Sequence, residues 1–457
     1  MAERARNELP AMLQSPQRDV APLDLREAAV RPMVQKLGLG SWLLVTALSA
    51  LVLLGVAAWV VQLIVGINSD GPFWGFNIAN FVTIIGVSYG GAVVSAVLRL
   101  TGAGWRAPLT RIAEATAVVA VIVGGLCIIP SVGRPDRMWE FLTRPNFSSA
   151  LIWDFIAIST YAFASMVFFY LPLIPDLAVA EKAMGKRAGR FRAALWRRLS
   201  WGWRGSPAQH RLLNRSIGLV AIMIIPLAVS VHSVLAWAFA ITSIRPWWSE
   251  ELWPPLFVIA ALYSGIALVI LALAWLRRAF RLQDFITDRH FVRLGFILVP
   301  FGAAYLYMSV ADFLPGAYHG QPATTAVFKA LFVGAYAPWF WIFVVGGMVV
   351  PLLIIALPQT RRVGWIVFAA ACVVTTFYIN RVLMVVVPST YGLMSGTVGT
   401  YQLTWVTPAI TLGAVAAIPL LLFLLFRFVP ILAVTEMEGL EGMQVSIQRR
   451  APQGEIP

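Results

Sequence analysis

The sequence predicts an all-α integral membrane protein of about ten transmembrane helices, for three reasons. Of its 457 residues, 59% are hydrophobic and only 12% charged, against roughly half and a quarter in soluble domains. Apolar runs of about 20 residues, enough helix to cross a hydrocarbon core of roughly 30 Å, recur along the whole chain. The charges, net +14, gather in the short segments between those runs, where positive charge orients helices in a membrane.

Residues 1–40 are polar, mixed in charge and interrupted by Pro10, Pro16, Pro22 and Pro32. They lack the short apolar core of a cleaved signal, so a retained tail is expected. The transmembrane domain follows at 41–427, with spans at 41–66, 76–100, 111–131, 150–174, 217–241, 254–276, 291–314, 336–357, 363–388 and 403–427. Residues 428–457 form a second polar tail.

The segments between the spans carry alternating charge. Asp70 follows the first span, and Arg99, Arg106 and Arg111 surround the gap after the second. After the third, Arg134, Arg137 and Arg144 stand against Asp136 and Glu140. The 176–215 segment holds ten basic residues against Asp176 and Glu181. Beyond it come Arg245 with Glu250 and Glu251, the basic 277–293 segment, Lys329, the Arg361–Arg362 pair, and then no charge before the last span. The positive-inside bias therefore puts both tails and the 176–215 loop in the cytoplasm.

Several functions are excluded. The basic residues do not form an aromatic-interleaved soluble domain, so nucleic acid is not an expected partner. Cys127 and Cys372 lie inside apolar runs, with no CxxC or CxxCH pattern. Of His210, His232, His290 and His319, only His232 lies well inside a span. A membrane haem needs two facing axial ligands, so the chain is expected to carry no metal and no redox centre of its own.

An ionisable residue inside a span costs about 2.5–3.5 kcal/mol at the membrane centre and by default marks function. Four stand out: Asp154, His232, Asp312 and Arg381, the last preceded by Asn380. In the predicted orientation all four fall in the outer half of their spans, which suggests one polar pocket toward the periplasmic face. A carboxylate and an imidazole there suit proton acceptance, with Asp154 and His232 as the candidate catalytic pair. Tyr161 shares a helix face with Asp154, two turns deeper. Each residue has a plainer alternative. Asp154 pairs with Arg134 or Arg137, His232 packs against a carbonyl, Asp312 is interfacial, or Arg381 snorkels to the surface. Toward the cytoplasm, Glu114, Asp176, Arg99 and Tyr170 form either a proton entry or salt-bridged helix ends. Tyr89, Ser88 and Ser95 occupy the middle.

An internal echo relates YGGAVVSAVLRL from Tyr89 to YSGIALVILALAWLRR from Tyr263. It suggests two parallel four-helix bundles, spans 2–5 and 6–9, plus flanking helices; small residues between packed helices produce the same match.

The run SSALIWDFIAISTYAFASMVFFYLPLIPDLA, preceded by VGRP at 132–135, resembles the NrfD/PsrC family of polysulfide reductase membrane subunits. So do PLAVSVHSVLAWAFA around His232, WPPLFVIAALYSG from Trp253 and FITDRH ending at His290. The resemblance is to the ten-helix subunits of bacterial alternative complex III. It implies a cofactor-free subunit of the bacterial inner membrane that binds menaquinol or ubiquinol near the periplasmic face. Electrons would pass to partner subunits with haem c, iron–sulfur clusters or molybdopterin-like domains, beside a related second membrane subunit. By analogy Asp154 meets the quinol hydroxyl, Ser131 and Arg134 line the rim, and Tyr161, Asp312 and Arg381 complete the site. Tyr89, Glu114 and Asp176 would mark a proton path. Relatives carry histidine where this chain has Ser131 and Tyr89. A non-quinol-binding paralogue that supports the complex or relays protons therefore stays open. So do a molybdopterin-oxidoreductase anchor and a secondary transporter.

Overall fold

The computed structural model describes residues 22–66, 74–132, 134–184, 189–242, 245–248 and 250–439. Asp70 and the far parts of both expected tails lie outside them. Ten helices are long and apolar enough to span a membrane, and no strand forms among the described residues beyond an isolated Tyr391–Val398 bridge. In chain order the helices are α1 (Pro22–Val34), α2 (Leu39–Val65), α3 (Phe76–Leu100), α4 (Ala107–Leu126) and α5 (Ala150–Met184). They continue with α6 (Arg190–Leu199), α7 (Pro207–Thr242), α8 (Trp253–Ala279), α9 (Asp288–His319) and α10 (Pro322–Phe332). The last are α11 (Ala337–Ala356), α12 (Val363–Ser389) and α13 (Val406–Leu425). All but α1, α6 and α10 are spans.

α3, α4, α5 and α7 pack in a closed ring, each on the next and α7 back on α3. α8, α9, α11 and α12 close a second ring in the same way. The rings meet where α3 lies on α8 and α12, and α7 lies on α8. α2 and α13 pair with each other at the periphery, α13 leaning on α4. The centre of the α3–α8 contact is Gly90 against Gly265, where a Cβ on either residue would overlap the other helix's backbone. Close approach of two backbones requires glycine on both sides there.

α11 is not a uniform helix. Val344–Val349 winds as a π-helix, and the Gly347 carbonyl accepts a hydrogen bond from Tyr263 Oη at 3.1 Å. Such wide turns free carbonyls for partners outside the helix.

α5 and α7 outrun the expected spans at one end. At 35 residues, α5 is roughly 52 Å long, more than the hydrocarbon core needs. Its projecting end, with α6 and the start of α7, forms a basic face. Residues 22–34 and 428–434 pack onto this face. In α1, Leu25, Ala28, Ala29 and Met33 are buried, an i, i+3, i+4 pattern inside a charged sequence. Ile431, Leu432 and Ala433 are buried beside it, and Ile431 N–H bonds to the Ala29 carbonyl. Trp196 of α6 donates to the Phe428 carbonyl at 3.0 Å. These parts of the segments expected as polar tails are packed structure.

Candidate functional site

Ala228, Val231, Leu235 and Phe239 turn one face of α7 inward, and His232 shares that face at 1% exposure. Tyr89 of α3 meets the imidazole edge-on at 4.8 Å, and Tyr161 of α5 lies 6.3 Å from Tyr89. Tyr161 Oη donates to the Ser88 carbonyl at 3.1 Å. Neither nitrogen of His232 has a hydrogen-bond partner among the described residues, and the same holds for Tyr89 Oη and Ser165 Oγ. The Ala228 carbonyl, one turn back, is the backbone group that acts on the ring without reaching hydrogen-bond geometry. Unpaired polar atoms so deep are costly unless something else meets them.

Asp154 is buried, with Oδ1 lacking a partner. It does not pair with either of the arginines expected for it. Arg134 forks onto Asp136 at 3.0 and 3.1 Å, and Arg137 onto Glu140 at 2.8 and 3.0 Å. Both pairs are exposed, so Arg134 sits at the surface. Ser131 is half-buried with an unpartnered Oγ. Asp154 stands roughly 6 Å from the start of α5, and His232 roughly 15 Å from the end of α7.

The second ring holds the other two groups. The Arg381 guanidinium lies 4.1 Å from the centre of the Phe257 ring and reaches Met384 Sδ at 3.5 Å. No carboxylate among the described residues pairs with it. Its neighbour Asn380 donates to Tyr305 Oη at 2.8 Å. Two turns along α9, Asp312 Oδ2 accepts from Trp247 Nε1 at 2.8 Å while Oδ1 has no partner. Trp247 adopts φ 72° in the loop after α7, and Trp248 beside it donates to the Met384 carbonyl at 2.8 Å. Burial and the neighbouring Glu251 push the carboxyl of Glu250, in the same loop, above its usual range.

No hydrogen bond or ion pair among the described residues joins Asp154 or Asp312 directly to His232 or Arg381. Asp154 lies near one end of α5, Asp312 under the tryptophan loop, His232 against Tyr89 of α3, and Arg381 against Phe257 of α8.

At the basic face, Arg111 bonds Asp176 at 2.6 Å and the Phe169 and Pro172 carbonyls at 3.2 and 3.0 Å. Asp176 also accepts from Thr435 N and Oγ1, at 2.9 and 2.8 Å. Glu436 pairs with Arg99 and Arg106. Ser95 donates to Glu114 Oε1 at 2.8 Å, leaving Oε2 unpartnered. Asp176 is thus a bonded ion-pair member. Thr435 and Glu436 escaped the sequence reading because their partners are more than 250 residues away. Trp247 carried a faint signal in the aromatic stretch around RPWW.

Among the described residues no three His, Cys, Asp or Glu gather to hold a metal ion. What the buried groups can do is accept, hold and pass protons. The family model for polysulphide reductase, NrfD, matches residues 65–390. The chain belongs to that family. A putative dimethyl sulfoxide reductase membrane subunit from Halobacterium salinarum is 30% identical over 88% of this chain and 94% of its own length. A selenate reductase subunit from Mesobacillus selenatarsenatis is 24% identical, covering 69% and 75%. An Hdr-like menaquinol oxidoreductase integral membrane subunit from Archaeoglobus fulgidus is also 24% identical, covering 75% and 78%.

Proposed function

We propose that this chain is the quinol-handling membrane subunit of a multisubunit oxidoreductase, with the redox centres carried by partner subunits. The observation that carries the reading is Asp154, a buried carboxylate in an apolar helix with a free oxygen and no basic partner among the described residues. Such a group is retained in a membrane for proton traffic. The menaquinol and reductase names of its relatives support a quinol as the proton source. The basic face is cytoplasmic by its charge, so Asp154 opens toward the periplasm and releases quinol protons there. His232 serves as a second acceptor. The two electrons go to periplasmic partners bearing haem c and iron–sulfur clusters in a complex of the alternative complex III type, beside a related membrane subunit.

A second reading is favoured by the relatives named as dimethyl sulfoxide and selenate reductase subunits. In it the chain anchors a molybdopterin oxidoreductase and exchanges electrons between quinol and that partner. Purification of the tagged native complex in mild detergent separates the two. Haem c absorption with iron–sulfur partners supports the first, and molybdenum without haem c the second. A lone colourless protein that oxidises no quinol overturns both.

A further inference from the structure

We propose that the start of α7 and the turn before it hold the headgroup of one anionic phospholipid, in the leaflet at the basic face. Arg211 and Arg215 meet its phosphate, and Trp201 lies among the headgroups.

From Gly189 to Arg215 the chain carries seven arginines and no acidic residue. Two of them are engaged within the protein. Arg192 donates to the Met33 carbonyl at 3.1 Å, and Arg197 pairs with Glu181 at 2.9 Å. Arg211 and Arg215 are exposed, and no carboxylate among the described residues pairs with either. Their i, i+4 spacing puts them on one face of α7. The same face continues into Leu219 and Ile222, which are 61% and 60% exposed inside the apolar span. An apolar stripe so exposed within a span faces lipid. Arg215 stands one turn, roughly 6 Å, beyond Leu219, so a lipid whose chains lie along the stripe brings its headgroup level with the two guanidiniums. Their planar N–H forks suit phosphate oxygens. A zwitterionic lipid offers the same phosphate beside its own cation, so a face this basic selects an anionic one.

Two hydrogen bonds fix the depth of the turn. Arg111, near the start of α4, donates to the Phe169 carbonyl at 3.2 Å, which sets that part of α5 level with the end of a span. One residue on, Tyr170 Oη donates to the Leu199 carbonyl at 2.6 Å and holds the α6–α7 turn at the same edge. Trp201 follows α6 in this turn with φ 48° and its side chain 78% exposed. The left-handed position just past a helix ordinarily takes glycine, and a tryptophan there is strained. At headgroup level, however, tryptophan is the favoured residue, its ring amphipathic enough for both phases.

The test titrates the native complex, purified in mild detergent, with dioleoylphosphatidylglycerol in mixed micelles and counts bound lipid by native mass spectrometry. Dioleoylphosphatidylcholine and inorganic phosphate are the comparison ligands. Retention of phosphatidylglycerol over phosphatidylcholine is expected, weakened about tenfold or more in Arg211→Gln with Arg215→Gln. Trp201→Gly, which suits the backbone, is expected to weaken it about threefold or more with the thermal midpoint not lowered. Lys182→Gln with Arg190→Gln removes the same charge from exposed positions, Lys182 lying roughly 18 Å further along α5 than Tyr170. That pair is expected to stay within twofold of wild type. An Arg211 and Arg215 pair within twofold of wild type would overturn the site. So would an equal loss in the Lys182 and Arg190 pair, which marks bulk charge, or displacement of the lipid by equimolar inorganic phosphate, which marks a free-anion site.

Discussion

Asp154 and Asp176 lie on one helix and have opposite surroundings. Asp154 has no charged partner among the described residues, and Asp176 has an arginine and a threonine. Asp154→Asn keeps the shape and removes the proton acceptor. Quinol oxidation by the complex is expected to fall by about 10²–10⁴-fold with assembly unchanged, read by steady-state turnover. For Asp176 the expected loss is stability. Arg111 and Asp176 are each 1% exposed, and removing one partner of a buried pair costs about 3–5 kcal/mol. Asp176→Ala should therefore melt well below wild type in detergent. The double change Arg111→Met with Asp176→Leu should recover much of that loss. The sequence set Asp154 inside a span and Asp176 at the start of the basic 176–215 segment, as a proton entry or a salt-bridged helix end. It could not name the partners of Asp176, because they come from residues 111 and 435.

The spans were legible as elements because apolar length is a local property. Predicted and observed boundaries agree closely for α3, α8 and α12. They diverge where helix continues into water, as in α5 and α7, since hydropathy marks the membrane edge and not the helix end. Packing between elements is sharper still. At the α3–α8 crossing, Gly90→Ala places a methyl inside the backbone at Gly265. This variant is expected to lose the monodisperse peak in fluorescence-detected size exclusion. Gly218→Ala, with open space around it, should run as wild type. Small residues between packed helices were one of two explanations the sequence left open for the echo, and it could not say which glycine meets which helix.

At the scale of the whole molecule, the charge distribution and the packing of residues 429–436 predict two further results. A cysteine at Ala208 should react with impermeant maleimide only from the cytoplasmic side, and one at Ser148 only from the periplasmic side; the reverse pattern would invert the proposed topology. Removing the chain from Val429 onward strips Thr435 from Asp176 and Glu436 from Arg99 and Arg106. The truncated protein is expected to insert but to show a lower thermal midpoint, measured on detergent-solubilised material.

The sequence by itself determined the class of the molecule: ten apolar spans, a basic face, and four ionisable groups that needed an explanation. Each follows from composition over a short window, where neighbours along the chain are neighbours in space. Only the tertiary structure decided what each of those four groups touches, that His232 lies beside Gly86, and that Thr435 and Glu436 meet Asp176, Arg99 and Arg106. Those facts depend on which helices touch, and contacts between side chains hundreds of residues apart leave no trace in any local pattern.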